Sequence, residues 1–178
     1  MIKRIFDIFF AFFGIIFFTP TFIIVYFLIK LDSRGPVFFL QNRVGLEEKI
    51  FKIIKFRTMK IDQVSKSTIT LKNDSRITRI GRYLRKYKID ELPELFNILK
   101  GEMSFVGPRP DVPGYADQLK GENRNILKLR PGITSMASLK YANEELILSQ
   151  VKDPINYNNH VIYPDKVKMN LNYYNNHN

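Results

Sequence analysis

Apolar residues recur along this chain with three different spacings, and each predicts a different kind of element. From Ile8 to Ile29 they are continuous: 22 residues carry no charge and sixteen of them are Ile, Leu, Phe or Val. At ~1.5 Å per residue such a helix is ~33 Å long, enough to cross a bilayer core. It is too apolar all round for a core helix in so small a domain. A signal peptide is also disfavoured, because the run is too long and no small-residue cleavage site follows. Lys3 and Arg4 precede the run and Lys30 and Arg34 follow it, so the positive-inside rule selects no orientation. Thr19-Pro20, with Thr21 behind, sits at its centre, where proline removes one backbone bond and hydroxyls can satisfy the freed carbonyls. A bent spanning helix and a re-entrant helix that turns back at Pro20 fit this pattern equally.

Gly35-Pro36 ends that segment, and the spacing changes. Val37 to Gln41 and Ile50 to Met59 read as strands around a turn at Gly45 to Glu48, the second carrying Lys52, Lys55 and Arg57 among apolar neighbours. Lys60 to Asn73 is polar and irregular, an expected loop. A helix then runs from Arg76 to about Lys86, capped by Asp74 or Ser75. Its stripe is Ile77, Ile80, Leu84 and Tyr87, opposite Arg76, Arg79, Arg82 and Lys86. Such a helix suits anionic headgroups, or equally a solvated basic face.

Asp90 and Glu91 open the next predicted helix. Leu92, Leu95, Phe96 and Leu99 share one face there, with Asp90, Glu94 and Asn97 opposite. Pro93 is tolerated in the first turn, and the positive end of the helix dipole favours ionised carboxylates at that position. Gly101 stops the helix, and Gly107-Pro108-Arg109-Pro110 is a stiff loop presenting one guanidinium. Tyr115 to Leu129 reads as a polar helix, Arg130-Pro131-Gly132 as a turn, and Ala137 to Val151 as a helical region beginning near Glu144. A last amphipathic segment from Pro164 places Val167, Leu171 and Tyr174 together.

At 178 residues the chain suits one domain with an anchor. Twenty-eight Lys and Arg against 17 Asp and Glu leave a formal charge of +11, so an anionic partner is expected. The absence of cysteine excludes disulfides and thiolate metal sites. No phosphate-cradling or dinucleotide glycine motif is present, and His160 and His177 lie in a weakly patterned tail. Nucleic acid fits the charge, but no aromatic-studded basic strand accompanies it, and a membrane segment accounts for more of the excess.

The remaining chemistry centres on Asp90-Glu91. Adjacent acids are common on solvated helices, but here Arg85, Arg109, Lys55 and Arg57 surround them in sequence. Phosphoryl transfer needs cations on the non-reacting oxygens and a placed nucleophile, a role open to a carboxylate. Mg2+ is expected with it, because a carboxylate approaching a diphosphate brings like charges together.

Several stretches taken together resemble the bacterial sugar transferases of the monotopic phosphoglycosyl transferase class. They are Lys-Phe-Arg-Thr-Met from Lys55, Asn-Asp-Ser-Arg-Ile-Thr from Asn73, and Gly81 with Leu84-Arg85. Asp-Glu-Leu-Pro-Glu-Leu from Asp90, Met103-Ser104, Gly-Pro-Arg-Pro from Gly107 and Arg-Pro-Gly-Ile-Thr from Arg130 complete the series. The resemblance covers about Ile2 to Thr134.

It implies an α/β, helix-rich, membrane-associated monotopic domain with a short β-hairpin and amphipathic interface helices, on a re-entrant helix broken at Thr19-Pro20. Residues 1–34 would form the membrane helix and its flanks, and 35–178 the catalytic domain. The implied enzyme moves a phosphosugar from a UDP-sugar to undecaprenyl phosphate and releases UMP at the cytoplasmic face of the bacterial inner membrane. Asp90 is then the covalent nucleophile, Glu91 its assistant, and both are expected Mg2+ ligands. Lys55, Arg57, Arg85 and Arg109 would bind phosphate, with Pro108 and Pro110 shaping the loop. Downstream glycosyltransferases are possible partners and nucleic acid is not. Ser135 to Tyr141 departs from the family pattern, and Asn170 replaces an acidic residue, so sugar specificity does not carry over. The alternative from the residues alone is a non-catalytic basic membrane anchor.

Overall fold

In the computed structural model, which describes residues 2–61 and 74–176, the continuous apolar run is one α-helix, α1 (Ile2–Asp32). It runs through Pro20 without a break in helical assignment. The Thr19 hydroxyl donates to the Ile15 carbonyl at 2.8 Å. This is one residue before the Ile16 carbonyl that Pro20 leaves without its usual i+4 donor, so the hydroxyl does not fill that vacancy. The helix is long and apolar enough to cross a membrane.

Two compact units divide the described residues: 2–42, 52–61 and 75–104 form the first, and 43–51, 74 and 105–176 the second. In the first, a single stripe of α1 is covered. Asp7, Ala11, Val25 and Ile29 are buried at helical spacing, and Gly14 lets Leu95 approach. The other faces are open, with Phe17 76% and Leu31 86% exposed.

Strands β1 (Phe38–Val44) and β2 (Ile50–Phe56) pair as a hairpin across a 3-10 turn at Leu46–Glu48. β2 stops three residues earlier than expected. Beyond it Met59 bridges Ile77, and Gly81 lies so close to the Thr58 carbonyl that no Cβ would fit. The expected loop over 60–73 lies, from 62 onward, outside the described residues.

Helix α2 (Arg79–Lys86) starts at Thr78, whose side chain accepts from the Gly81 N–H at 2.9 Å. Neither Asp74 nor Ser75 is the cap. Asp32, at the end of α1, supplies a second acceptor to the Ile80 N–H. Leu84 joins Val25, Ile29, Val37 and Phe56 in the core of this unit, while Tyr83 and Tyr87 are exposed beside Arg82 and Lys86. Helix α3 (Glu94–Lys100) ends at Gly101 in left-handed backbone, φ 87°. Its last carbonyls, Ile98 and Leu99, receive Arg4 at 2.7 and 3.1 Å. Asp7 accepts from the Ser104 hydroxyl in the same unit.

The second unit is built differently from its sequence pattern. Tyr115 to Leu129 forms 3-10 segments at Ala116–Gln118 and Gly121–Lys128 instead of an α-helix. Ile126 and Leu127 still reach a core with Val44 and Ala116. Two three-residue strands, β3 (Ser104–Val106) and β4 (Gly132–Thr134), pair as a second sheet that the pattern did not announce. The region from Ala137 is two short helices, α4 (Met136–Lys140) and α5 (Glu144–Ser149). The tail is α6 (Pro154–Tyr157), a π-helical turn at Asn158–Ile162 and α7 (Tyr163–Asn176), with Val167 and Asn170 buried. The result is a helix-rich mixture of α and β, as expected.

Candidate active site

The Asp90-Glu91 pair does not open a helix. It occupies a 3-10 turn, Ile89–Glu91, entered from Lys88 in left-handed backbone at φ 57°, and Pro93 then leads into α3. The polar side chains are buried along with apolar Leu95 and Ile98: Asp90 and Glu91 are 8% exposed, Glu94 1% and Asn97 0%. A helical wheel assigns polar residues outward by default. Here a strand passes across them and supplies partners.

That strand is β2. Lys55 shares its face with buried Ile53, two residues earlier. Its ammonium donates to Glu91 Oε1 at 2.8 Å and lies 3.2 Å from Glu94 Oε1. The side chains of this trio are 14, 10 and 1% exposed, so the charges meet in a largely dry setting. Asn97 ties the strand to the helix: its Oδ1 accepts from the Ile54 N–H at 3.0 Å, and its Nδ2 donates to the Lys52 carbonyl at 2.8 Å and to Glu102 at 2.7 Å.

Asp90 is treated differently. Its Oδ1 is buried and has no hydrogen-bond partner among the described residues. Burial pushes its carboxyl above the ordinary 3.8; Lys55 opposes this, Glu91 adds to it, and Arg85 and Lys88 oppose it more weakly. The expectation that a helix dipole favours the ionised form is therefore overturned, because desolvation outweighs it and the pair stands before α3, not within its first turn. A buried carboxylate oxygen without a partner among the described residues, under the electrostatic influence of Lys55, Arg85 and Lys88, is chemically able to accept a bond from an incoming electrophile. It is a poor structural element, since an unsatisfied buried acceptor costs about 1–3 kcal/mol.

The remaining sequence-derived residues distribute as follows. Arg85 acts on Asp90 within the first unit. Arg57 is buried in that unit and gives both terminal nitrogens to the Ser33 and Arg34 carbonyls, at 2.8 and 2.5 Å, where α1 ends. Arg109 belongs to the second unit and is exposed, between buried Pro108 and Pro110. The Pro108 carbonyl accepts from Gly132 N–H at 2.8 Å, and the Pro110 carbonyl from Arg43 at 3.0 Å. Gly107 and Gly132 approach each other's backbone so closely that a Cβ on either would meet an atom at 2.2 Å. The loop is rigid for that reason as well as for its prolines.

Next to it, burial pushes the Asp111 carboxyl up to about 6, against the pull of Lys166, Arg43, the Tyr163 hydroxyl and Arg109. The segment departing from the family pattern also has partners here. Lys140 and the Tyr141 hydroxyl both reach Asp165, at 2.6 and 2.7 Å, and Lys166 pairs with Glu144 at 2.6 Å.

Glu94 and Asn97 are the site residues that sequence reasoning missed. The available signal was spacing: Glu91, Glu94 and Asn97 follow one another at i+3, a polar stripe one turn apart that a strand lysine can serve. No group of three His, Asp or Glu side chains is arranged to hold a metal among the described residues.

Comparison with known proteins agrees with this chemistry. The family model described as bacterial sugar transferase matches residues 1–178. The chain is 43% identical over 148 residues to exopolysaccharide production protein PSS of Rhizobium leguminosarum bv. phaseoli, covering 79% of this chain and 74% of the relative. It is 44% identical over 144 residues to the UDP-N-acetylgalactosamine-undecaprenyl-phosphate N-acetylgalactosaminephosphotransferase of Aeromonas hydrophila, covering 78% of this chain and 34% of that longer protein. It is 36% identical over 163 residues to the UDP-glucose:undecaprenyl-phosphate glucose-1-phosphate transferase of Klebsiella pneumoniae, covering 87% and 34% respectively. A match along the whole chain, with relatives at this identity, means that the chain belongs to the bacterial sugar transferase family and is a phosphotransferase.

Proposed function

We propose that this enzyme transfers a phosphosugar from a UDP-sugar to undecaprenyl phosphate, with Asp90 as covalent nucleophile, in the initiating membrane step of a surface glycan. Family membership as a phosphotransferase sets aside the non-catalytic anchor. The observation that carries the reading is the buried Asp90 Oδ1, without a hydrogen-bond partner beside the Lys55-Glu91-Glu94 cluster.

Asp90 Oδ1 attacks the phosphorus that bears the sugar. The bond from that phosphorus to the bridging oxygen breaks, and UMP leaves with that oxygen. A phosphate oxygen of undecaprenyl phosphate then attacks the same phosphorus, the Asp90–phosphorus bond breaks, and the carboxylate is regenerated with the polyprenyl diphosphate sugar released. Arg85 stabilises charge developing near Asp90. Lys55 is committed to Glu91 and Glu94 in the chain alone, so its contact with phosphate requires sharing or exchanging those partners.

Mg2+ is commonly held by one or two carboxylates plus substrate phosphates rather than by an all-protein cage. With Oδ1 as the nucleophile, Asp90 could offer Mg2+ only its other oxygen, and Glu91 could join it only by sharing with Lys55. Bound there, the cation would neutralise charge on the diphosphate. The active site faces the cytoplasm in this reading, and α1 would have to bend back at Pro20 within a helix that is otherwise continuous. Basic residues at both ends, Lys3 and Arg4 before and Lys30 and Arg34 after, support a helix whose flanks lie on one side.

The test is UMP release from a panel of UDP-sugars with undecaprenyl phosphate and Mg2+. Wild-type protein should release UMP and Asp90→Asn should not. Equal activity of the two, or none from wild type with any sugar, refutes the proposal.

A further inference from the structure

Asn97 touches no reacting atom in the proposed reaction, yet it is a fully buried polar side chain whose Oδ1 and Nδ2 are both engaged. Among the described residues the sheet it meets has two strands, so the edge of β2 that faces away from β1 presents peptide groups that no third described strand pairs. The Asn97 amide takes the place of a peptide group on that edge. It accepts from Ile54 N–H and donates to the Lys52 carbonyl, two residues apart on one side of the strand. The second hydrogen of Nδ2 is anchored by Glu102, which fixes the amide's orientation. Lys55 is the next residue along β2, and its ammonium reaches Glu94 on the helix that carries Asn97 and Glu91 on the turn before it.

We infer that Asn97 is a positioning residue for the transfer reaction. By setting the register of β2 against α3 it delivers the Lys55 charge to Glu91 and Glu94, and through them to the electrostatics of Asp90. The inference rests on the proposed function for its catalytic part. A four-carbon lysine stem has ample rotamer freedom, and only a fixed strand origin makes one geometry prevail. The groups facing Asp90 are Lys55 from β2, Glu91 beside it, Arg85 from α2 and Lys88. Releasing Lys55 removes the cation with the largest influence while Glu91 remains.

Two measurements on the full chain in detergent micelles test this. The first is the rate at which an amine-reactive acetylating reagent labels Lys55, followed by mass spectrometry. Asn97→Ala should raise it several-fold, as Lys55 leaves its carboxylates. An unchanged rate overturns the inference, whether or not the protein transfers sugar.

The second is a double-mutant cycle on single-turnover UMP release without acceptor, using Asn97→Ala, Lys55→Met and both together. Asn97→Ala should cost about 10- to 100-fold in the wild-type background and under about 3-fold in the Lys55→Met background. Equal losses in both backgrounds would mean a merely structural residue. If Asn97→Ala does not fold, N97D with E102Q keeps the acceptor for Ile54 and should show a smaller loss with the same non-additivity. Absence of UMP from wild type would instead refute the proposed function, leaving the labelling result to decide the positioning claim.

Discussion

Replacing Lys55 by Met would test whether the buried charge cluster is as consequential as its geometry indicates. The substitution keeps most of the stem volume and removes one ammonium that serves Glu91 at 2.8 Å and Glu94 at 3.2 Å. In water each contact would contribute little, but the two glutamates are only 10 and 1% exposed at the side chain. Removing one partner of a buried pair costs about 3–5 kcal/mol, because the remaining charge is left uncompensated. Against a typical total stability of about 5–15 kcal/mol, that is a large fraction. For a chain of this size the corresponding fall in melting temperature is about 10 °C.

The assay is thermal unfolding in detergent at pH 7, monitored by circular dichroism. Lys49→Met is the internal control, since its pair with Glu47 is 79 and 66% exposed and should change the melting point little. A Lys55→Met melting temperature within a degree or two of wild type at pH 7 would refute the reasoning.

Three further outcomes follow from the same geometry. Asp111, raised from 3.8 to about 6, binds its proton more tightly folded than unfolded. Its contribution to stability is therefore full below pH 3.8 and is lost as pH rises to about 6. At 1.36 kcal/mol per pH unit the loss is at most about 3 kcal/mol, and Asp111→Asn should abolish that part of the pH dependence in denaturant titrations. Gly107→Ala would place a Cβ 2.2 Å from the Arg130 carbonyl, so it should cost about 1–3 kcal/mol or more and lower the melting temperature. If α1 is re-entrant, single cysteines placed near Lys3 and Lys30 should label from the same side of a sealed vesicle, and labelling from opposite sides would establish a spanning helix.

Where local chemistry decides structure, the sequence was readable. The charge-free run, the hairpin around Gly45, the stop at Gly101 and the rigid Gly-Pro-Arg-Pro loop all come from residues whose effects act within a few positions. What it did not reveal depends on neighbours far along the chain. The burial of Glu94 and Asn97 depends on β2 being laid across them, and the contacts of Arg57 with the Ser33 and Arg34 carbonyls depend on the end of α1 being placed against it. The α2 cap shifts to Thr78, which lies just past the bridge from Met59 to Ile77. Strands of three residues such as β3 and β4 are too short to show a period. The charge pattern singled out Asp90 and Glu91, and the resemblance to the family suggested a role for each. Only the fold revealed how differently the two are held, one carboxylate paired with lysine and the other left with a bare oxygen.

The most direct test of that difference is the covalent intermediate itself. Wild-type protein incubated with its UDP-sugar and Mg2+, without polyprenyl phosphate, should gain the mass of one phosphosugar, and acid-quenched peptide mapping should place the adduct on Asp90. Addition of undecaprenyl phosphate should remove it. Turnover without any adduct, or an adduct on another residue that persists in Asp90→Asn, would contradict the assignment of Asp90 as nucleophile.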